Sequence, residues 1–372
     1  MPGWIHTAPE PTLRSALSIA RKGRLRLDVQ AAQPWMRFGD KPIWLSRSSW
    51  GMAALVDALT EANERPVTAW LPEYFCDQAL WPMRQRQVEL RFYPVDSWAR
   101  PEWNRIDIAG PGPKLFFLVH FFGHPSDGEQ ARSVCDATGA LLVEDAAHAL
   151  GPAKGIGEVG DFVFYSPWKF FEAPNGAIFV IRPRAVGWAA AIQRSVDKLG
   201  SAHSPGLGWA KDIAMRKVAH VDPKGFCRGR PGDFFLDVSS RPMPSRPKAS
   251  PIASMTLPCV NMLEARRMRQ ENDAAIRDFF KGRPGWQPLI ATPAPGPLRS
   301  VFRLDSPERA SAAYDALRAV GVRAEGWTAL PPEVVDPTSQ ARLLRRTLLN
   351  IPCHQGLKTL GLIEALRRAK LD

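Results

Sequence analysis

The chain has 372 residues, a formal net charge of +12, 45% hydrophobic residues and 23% charged residues. That length allows one large core and a second, smaller domain, and the composition is that of a soluble globular chain rather than a disordered or fibrous one. No apolar run reaches about 18 residues, so no membrane span is expected; the five cysteines form no CxxC pair, which argues against a zinc site or a disulfide framework and suits a reducing, cytoplasmic compartment.

The positive charge favours anionic ligands, either phosphate or nucleotide-linked substrates or nucleic acid. The basic residues are spread along the chain, so a scattered basic surface explains them equally well. Residues 12–26 (TLRSALSIARKGRLR) form a basic, partly amphipathic segment. It is read as a docked N-terminal helix, although a transit peptide or a membrane-surface segment shares that pattern. The chain start lacks the apolar core of a secretory signal.

Residues 43–45 (IWL) read as a first strand, followed by a helix over SRSSWGMAALVDAL with Ser48 or Ser49 as its N-cap. The start of such a helix offers backbone N–H groups and the positive end of a dipole to a phosphate. Capping alone would also explain the serines. VTAWLPEYFCDQAL reads as strand, turn and helix, with Tyr74 and Phe75 just past the strand end. VELRFYPVD and KLFFLVHFFG read as further strands. His120, near the end of the second, is read as a satisfied core residue. The helix SDGEQARSVCDATG leads to the apolar run Leu141–Glu144. Alternation of strand and helix over 43–165 implies a parallel, doubly wound sheet.

The run 140–180 carries the chemistry. Its first strand ends in Glu144 and Asp145, and His148 follows. A second strand, DFVFYS, precedes Lys169, which Pro167, Trp168, Phe170 and Phe171 surround. Desolvation by such neighbours lowers a lysine pKa and frees its amine as a nucleophile. A carboxylate at one strand end and a lysine past a later strand suit pyridoxal phosphate, which needs a lysine for covalent attachment and a carboxylate against its ring nitrogen. In an open α/β sheet both lie at the carboxyl edge, where ligands bind. GIGEVG at 155–160 matches GxGxxG, but it precedes a strand instead of opening a helix, so it is read as a glycine-rich connection.

Beyond residue 184 the chain reads as two helices (AVGWAAAIQRSVDKL and GWAKDIAMRKVAH) and then an irregular Pro, Gly and Arg-rich connection over 221–251. Its Arg228, Arg230, Arg246 and Lys248 either face an anionic substrate or are solvated. From about 255 a long amphipathic helix, short strands and further helices imply a compact α+β unit. The expected division is an N-terminal segment 1–40, a large α/β domain 41–250 and a small C-terminal domain 251–372. Cys353 and His354 are adjacent, and chain neighbours point apart, so no Cys–His dyad is expected.

EDAAHALG, GDFVFYSPWK and NGAIFV together resemble the DegT/DnrJ/EryC1/StrS family of fold-type I, pyridoxal-phosphate-dependent aminotransferases. By that resemblance the fold is α/β, a mostly parallel sheet sandwiched by helices with a smaller α+β C-terminal domain. Asp145 matches the aspartate at the pyridine nitrogen, His148 the residue at the ring oxygen, and Lys169 the lysine that holds the cofactor. Phe75, in preference to Tyr74, matches the aromatic that stacks on the ring. Ser48, Ser49 and Ser166 stand near the phosphate positions. The family's Gly-Thr is Gly51-Met52 here, and its serine five residues before the lysine is Phe164, so two phosphate positions depart from the pattern. A family residue supplied by a neighbouring subunit near 221–251 has no clear counterpart, and an LPxHxxL-like stretch makes His354 a site candidate. The resemblance implies transfer of an amino group, with glutamate as donor, to a keto sugar, commonly nucleotide-linked, by a homodimer. It implies no nucleic acid, membrane or metal partner. The altered phosphate positions also motivate a second reading, a non-catalytic binding or regulatory protein on the same fold. Sugar dehydration in the family goes with loss of the lysine, which is present here.

Overall fold

A computed structural model describes residues 4–11, 26–219, 233–235 and 246–371. The helix expected over 12–26 and most of the connection at 221–251, with Arg228 and Arg230, lie outside the described residues. The main sheet contains β1 (Lys41–Leu45), β2 (Val67–Pro72), β3 (Val88–Tyr93), β4 (Lys114–Val119), β5 (Leu141–Ala146), β6 (Phe162–Tyr165) and β7 (Ala177–Ile181). Their order is β1-β7-β6-β5-β4-β2-β3. The first helices are α1 (Ser48–Asn63), α2 (Asp77–Arg84) and α3 (Gly128–Thr138), followed by α4 (Ala189–Lys198) and α5 (Leu207–Ala219).

Central strands are apolar along their length because both faces are covered. Every residue of β2, β6 and β7 is buried. The edge strand β3 instead turns Glu89 and Arg91 outward, which discourages pairing with another chain. From β3 through β6 all pairings are parallel, as the alternation of strands and helices implies. The departure is β7, which pairs antiparallel with both β6 and β1. Too little chain joins β6 to β7 for a parallel crossover, so the strand must double back. Since β1 opposes β7, it runs with β6. Leu45 therefore lies opposite Ala177, at the edge where β5 and β6 end.

The glycine-rich connection has an internal role. Glu144 is fully buried. Its carboxylate accepts the N–H groups of Gly157 (2.7 Å), Val159 (2.8 Å) and Gly160 (2.6 Å) and meets His120 Nε2 at 2.8 Å. His120 Nδ1 accepts the Ser126 N–H at 3.1 Å, which leaves the ring proton on Nε2, facing Glu144. His120 is thus the satisfied core residue the strand pattern indicated. Gly157 has φ +69°, and a Cβ there would collide with the Tyr165 hydroxyl. The GxGxxG spacing folds its amides around a carboxylate of the same chain.

A second unit follows α6 (Pro251–Thr256), whose Ala253 packs in one core cluster with Phe170 and Ile178, and includes α7 (Met262–Phe280). It continues through β8 (Trp286–Pro288), β9 (Arg299–Leu304), α8 (Pro307–Ala319), α9 (Gln340–Thr347), β10 (Leu348–Pro352) and α10 (Thr359–Arg368). Its sheet is antiparallel in the order β10-β9-β8, with α7 and α8 packed on β9. One polar tie joins it to the main sheet beside the lysine. Arg269 of α7 is fully buried and donates to the carbonyls of Pro297 (3.0 Å), Leu298 (3.3 Å) and Phe170 (3.0 Å). Gln355 Nε2 donates to the same Phe170 carbonyl at 2.8 Å.

Candidate active site

The carboxyl edge of the sheet gathers the expected groups. Asp145 lies opposite Phe164, and Ala146 opposite Tyr165, so β5 and β6 end side by side. Past β6 come Ser166 and a single 3₁₀ turn, Pro167–Lys169. The parallel β1 delivers the start of α1 to the same edge. A cavity of about 550 Å³ opens there. Asp145, His148, Lys169, Ser166, Ser48, Ser49 and Phe75 all line it, whereas Tyr74 and His354 do not.

Tyr74 instead packs in the core. Its ring stacks on Trp327, with centroids 4.5 Å apart and planes at 19°. Its hydroxyl is buried without a partner. Successive residues past a strand end face different ways, so only Phe75 reaches the cavity.

Capping of α1 also differs from expectation. The N-cap is Arg47, with Ser48 and Ser49 as the first two helical residues, and no side chain caps the helix. Arginine has no acceptor to offer, and the first turn holds no acid, so the positive end of the helix faces the cavity without a side-chain anion. Ser48 Oγ meets Ser166 Oγ at 2.7 Å. Phe164 lies beneath the cradle, fully buried and stacked on Phe179 at 4.6 Å. A Cβ on Gly51 would come within 2.6 Å of the Phe164 ring, so glycine lets the helix sit on that ring.

Burial sets the state of the central groups. It raises the Asp145 carboxyl above its usual range, partly offset by the Ala147 amide, which Oδ1 accepts at 2.9 Å, and by the Lys169 charge. It lowers the Lys169 amine, against the opposing pull of Asp145. It holds His148 neutral, far below the ordinary histidine range. His148 Nδ1 accepts the Phe122 N–H at 3.4 Å, so Nε2 carries the proton and is a donor. The backbone at Phe122 has φ +57°, a strained conformation for an aromatic residue.

These groups fit pyridoxal phosphate. A half-buried carboxylate suits a cationic ring nitrogen, a neutral imidazole N–H suits a ring oxygen, and a desolvated amine suits the aldehyde. Paired hydroxyls at an uncapped helix start suit the phosphate. A second cavity, of about 510 Å³, adjoins the first. Lys169, His148, Trp168 and Trp327 line both, so the lysine stands at their junction. Arg299, Arg323 and Glu325 face the second cavity, with Glu325 bridging the arginines at 3.4 and 3.3 Å.

His354 is a structural residue. Its Nε2 donates to the His6 carbonyl (3.0 Å) and its Nδ1 accepts the Gly356 N–H (3.1 Å); the ring is buried and lines neither cavity, although His6 lines the second. Cys353 Sγ faces the Pro297 carbonyl instead, so the two form no dyad. Arg246 and Lys248 line neither cavity. Two residues were not singled out from the sequence. Trp327 comes from the second unit and wedges between Tyr74, Phe121, Phe122 and His148; nothing in its local sequence marks it. Arg47 lines the cofactor-sized cavity. Its signal was a basic residue directly before a helix start.

Residues 110–180 match the sequence profile of the DegT/DnrJ/EryC1/StrS aminotransferase family. GDP-perosamine synthase of Vibrio cholerae is 38% identical over 58 residues, which is 16% of this chain and 16% of that protein, so the match spans about a sixth of the curated relative. The fold extends further. The aminotransferase TlmJ of Streptoalloteichus hindustanus superposes with a TM-score of 0.66 at 19% identity over 98% of this chain and 99% of that one. DesI, solved in the presence of its TDP-sugar product, gives 0.67 at 18% over 99% and 93%. PseC of Helicobacter pylori, an aminotransferase of pseudoaminic acid biosynthesis, gives 0.65 at 11% over 99% and 99%. Over its central stretch the chain carries the signature of the DegT/DnrJ/EryC1/StrS aminotransferase family, and over nearly its whole length it has the fold of the sugar aminotransferases.

Proposed function

We propose that the protein is a pyridoxal-phosphate-dependent aminotransferase that moves an amino group from glutamate to a keto sugar, nucleotide-linked, in polysaccharide or secondary-metabolite biosynthesis. It works in the cytoplasm as a homodimer. One observation carries the reading. Asp145, His148 and Lys169 converge on one cavity, and Lys169 also faces the next.

The cofactor, when bound, supplies an electron sink for the substrate carbon that bears nitrogen. The chain does the rest. Asp145 would hold a proton at the ring nitrogen, and His148 Nε2 would donate to the ring oxygen. Phe75 would cover a ring face, with Ser48, Ser49 and Ser166 toward the phosphate. Lys169 would hold the cofactor and, when its amine is free, would carry a proton to and from the substrate carbon. Burial keeps its amine neutral enough to accept that proton. Donor and acceptor occupy the second cavity in turn, beside Arg299 and Arg323. The nucleotide-sugar names of GDP-perosamine synthase and of the DesI complex support a nucleotide-linked acceptor. The net charge of +12 suits it too.

The non-catalytic reading rested on Met52 and Phe164. The Ser48 and Ser166 hydroxyls, paired at the cavity, support the catalytic reading over it. The test is the visible spectrum of the protein with pyridoxal phosphate, before and after borohydride, alongside Lys169→Ala. A visible band that borohydride fixes covalently in the wild type alone, and that glutamate bleaches in a separate, unreduced sample, supports the reading. No band with excess cofactor overturns it. Light scattering that finds only monomer overturns the homodimer.

A further inference from the structure

We infer that Arg47 is the cationic ligand of the cofactor phosphate, supplied by the same chain that provides Lys169. The inference rests on the cofactor reading above and adds a residue to it.

Arg47 precedes α1 with an extended backbone (φ −143°, ψ 149°), and its side chain turns into the cavity that holds Ser48, Ser166 and Lys169. The guanidinium lies on the Trp168 ring, 3.6 Å from the centroid. Its Nη2 donates to the Pro174 carbonyl at 3.2 Å. Its Nη1 is buried and has no partner. A buried, charged donor left unmet is unfavourable and calls for an acceptor.

The surroundings say which acceptor. Asp145 is the only carboxylate among the residues lining this cavity, and it faces Lys169. Among the described residues, no other carboxylate lines this cavity to meet Arg47. Burial accordingly pulls the guanidinium down to about 10. The uncapped start of α1 adds a second positive element, and the Ser48–Ser166 pair adds hydroxyl donors. A phosphate dianion satisfies all three at once. A carboxylate would match the charge of the guanidinium alone. The stack on Trp168, directly before Lys169, fixes the distance between phosphate and attachment point. That geometry suits a planar guanidinium better than a flexible ammonium.

A purely structural Arg47, holding Pro174 and Trp168 in place, would support any ring in the cavity. A phosphate ligand would support only the phosphorylated one. Cofactor-free, full-length protein is therefore titrated with pyridoxal phosphate and separately with pyridoxal, following visible absorbance. Arg47→Met is expected to weaken pyridoxal phosphate about 10- to 100-fold, as loss of a charge-assisted hydrogen bond does, and to leave pyridoxal unchanged. Arg47→Lys should recover part of the loss. In the wild type, inorganic phosphate should compete with pyridoxal phosphate and not with pyridoxal, a measurement that needs no variant. Equal losses for both ligands, no loss for either, or phosphate that fails to compete would overturn the assignment. Wild-type protein that binds neither ligand would instead overturn the cofactor reading itself.

Discussion

The hydroxyls of Ser48 and Ser166 lie 2.7 Å apart although 118 positions separate them in the chain. One opens α1 and the other closes β6, and only the antiparallel turn-back of β7 brings β1 close enough for them to meet. Each hydroxyl is expected to contribute to cofactor affinity. Ser48→Ala or Ser166→Ala should weaken pyridoxal phosphate about 2- to 10-fold, the worth of one neutral hydrogen bond. The double variant should lose less than the product of the two, because the partners share a contact. Absorbance titration of the four proteins checks this.

The amine of Lys169 is shifted downward by burial and upward by Asp145. A lowered pKa means more neutral amine at a given pH. The rate at which apo-protein attaches pyridoxal phosphate should therefore rise with pH to a midpoint below the ordinary lysine value of 10.5. Asp145→Asn removes the upward pull, so its midpoint should lie lower still. A stopped-flow pH profile with a midpoint at the ordinary value would contradict the desolvated lysine.

Burial pushes the Glu144 carboxyl up, but His120 and the Gly160 and Gly157 amides outweigh it and hold the group below its ordinary value. A carboxylate with a depressed folded pKa stabilises the fold above its unfolded value, near 4.5, and loses that contribution as pH falls through the folded value. Urea midpoints should thus drop in acid below pH 4.5 in the wild type. Glu144→Gln should flatten that drop and cost about 1.5–3 kcal/mol at neutral pH, as loss of hydrogen bonds to a charged group does.

Arg269 and Gln355 both donate to the Phe170 carbonyl, one residue past Lys169. Arg269→Met removes one donor from each of three carbonyls, of which Phe170 keeps Gln355 and Leu298 keeps Arg299. It should cost at least about 2 kcal/mol of stability and speed cofactor release. Urea unfolding and dilution kinetics read the two effects separately.

Tyr74 and Phe75 should part ways on mutation. Tyr74→Phe removes a buried hydroxyl that lacks a partner, so it should be neutral or stabilising by about 1 kcal/mol, with cofactor affinity intact. Phe75→Ala, at the cavity wall, should weaken cofactor binding with a smaller effect on the apo-protein. Thermal melts with and without cofactor distinguish them.

The strands and most of the site were legible in the sequence because they are local. Asp145, His148 and Lys169 sit within one run of chain, each at a fixed offset from a strand end. The parallel order of the middle strands followed from helices between them. The reversal at β7 was not deduced from the alternation, though the short link to β6 required it. Tyr74 and Phe75 could not be separated by spacing alone, because the twist past a strand end decides which one turns inward. Ser48 and Ser49 fitted the capping preference, yet the extended residue is Arg47. Arg47 and Trp327 depend on tertiary contacts. The first matters because Trp168 and Pro174 lie against it, the second because a distant unit packs over the main sheet.

Glu144 draws the glycine amides at 157 and 160 onto itself, which gives this loop the shape of an anion nest whose occupant is built in. A dinucleotide loop with the same spacing leaves those amides for a diphosphate. Here the covalent carboxylate is always at full local concentration, and no free nucleotide can compete with it. Glycine spacing alone therefore reports a tight ring of backbone donors, and the anion it encloses can be the protein's own.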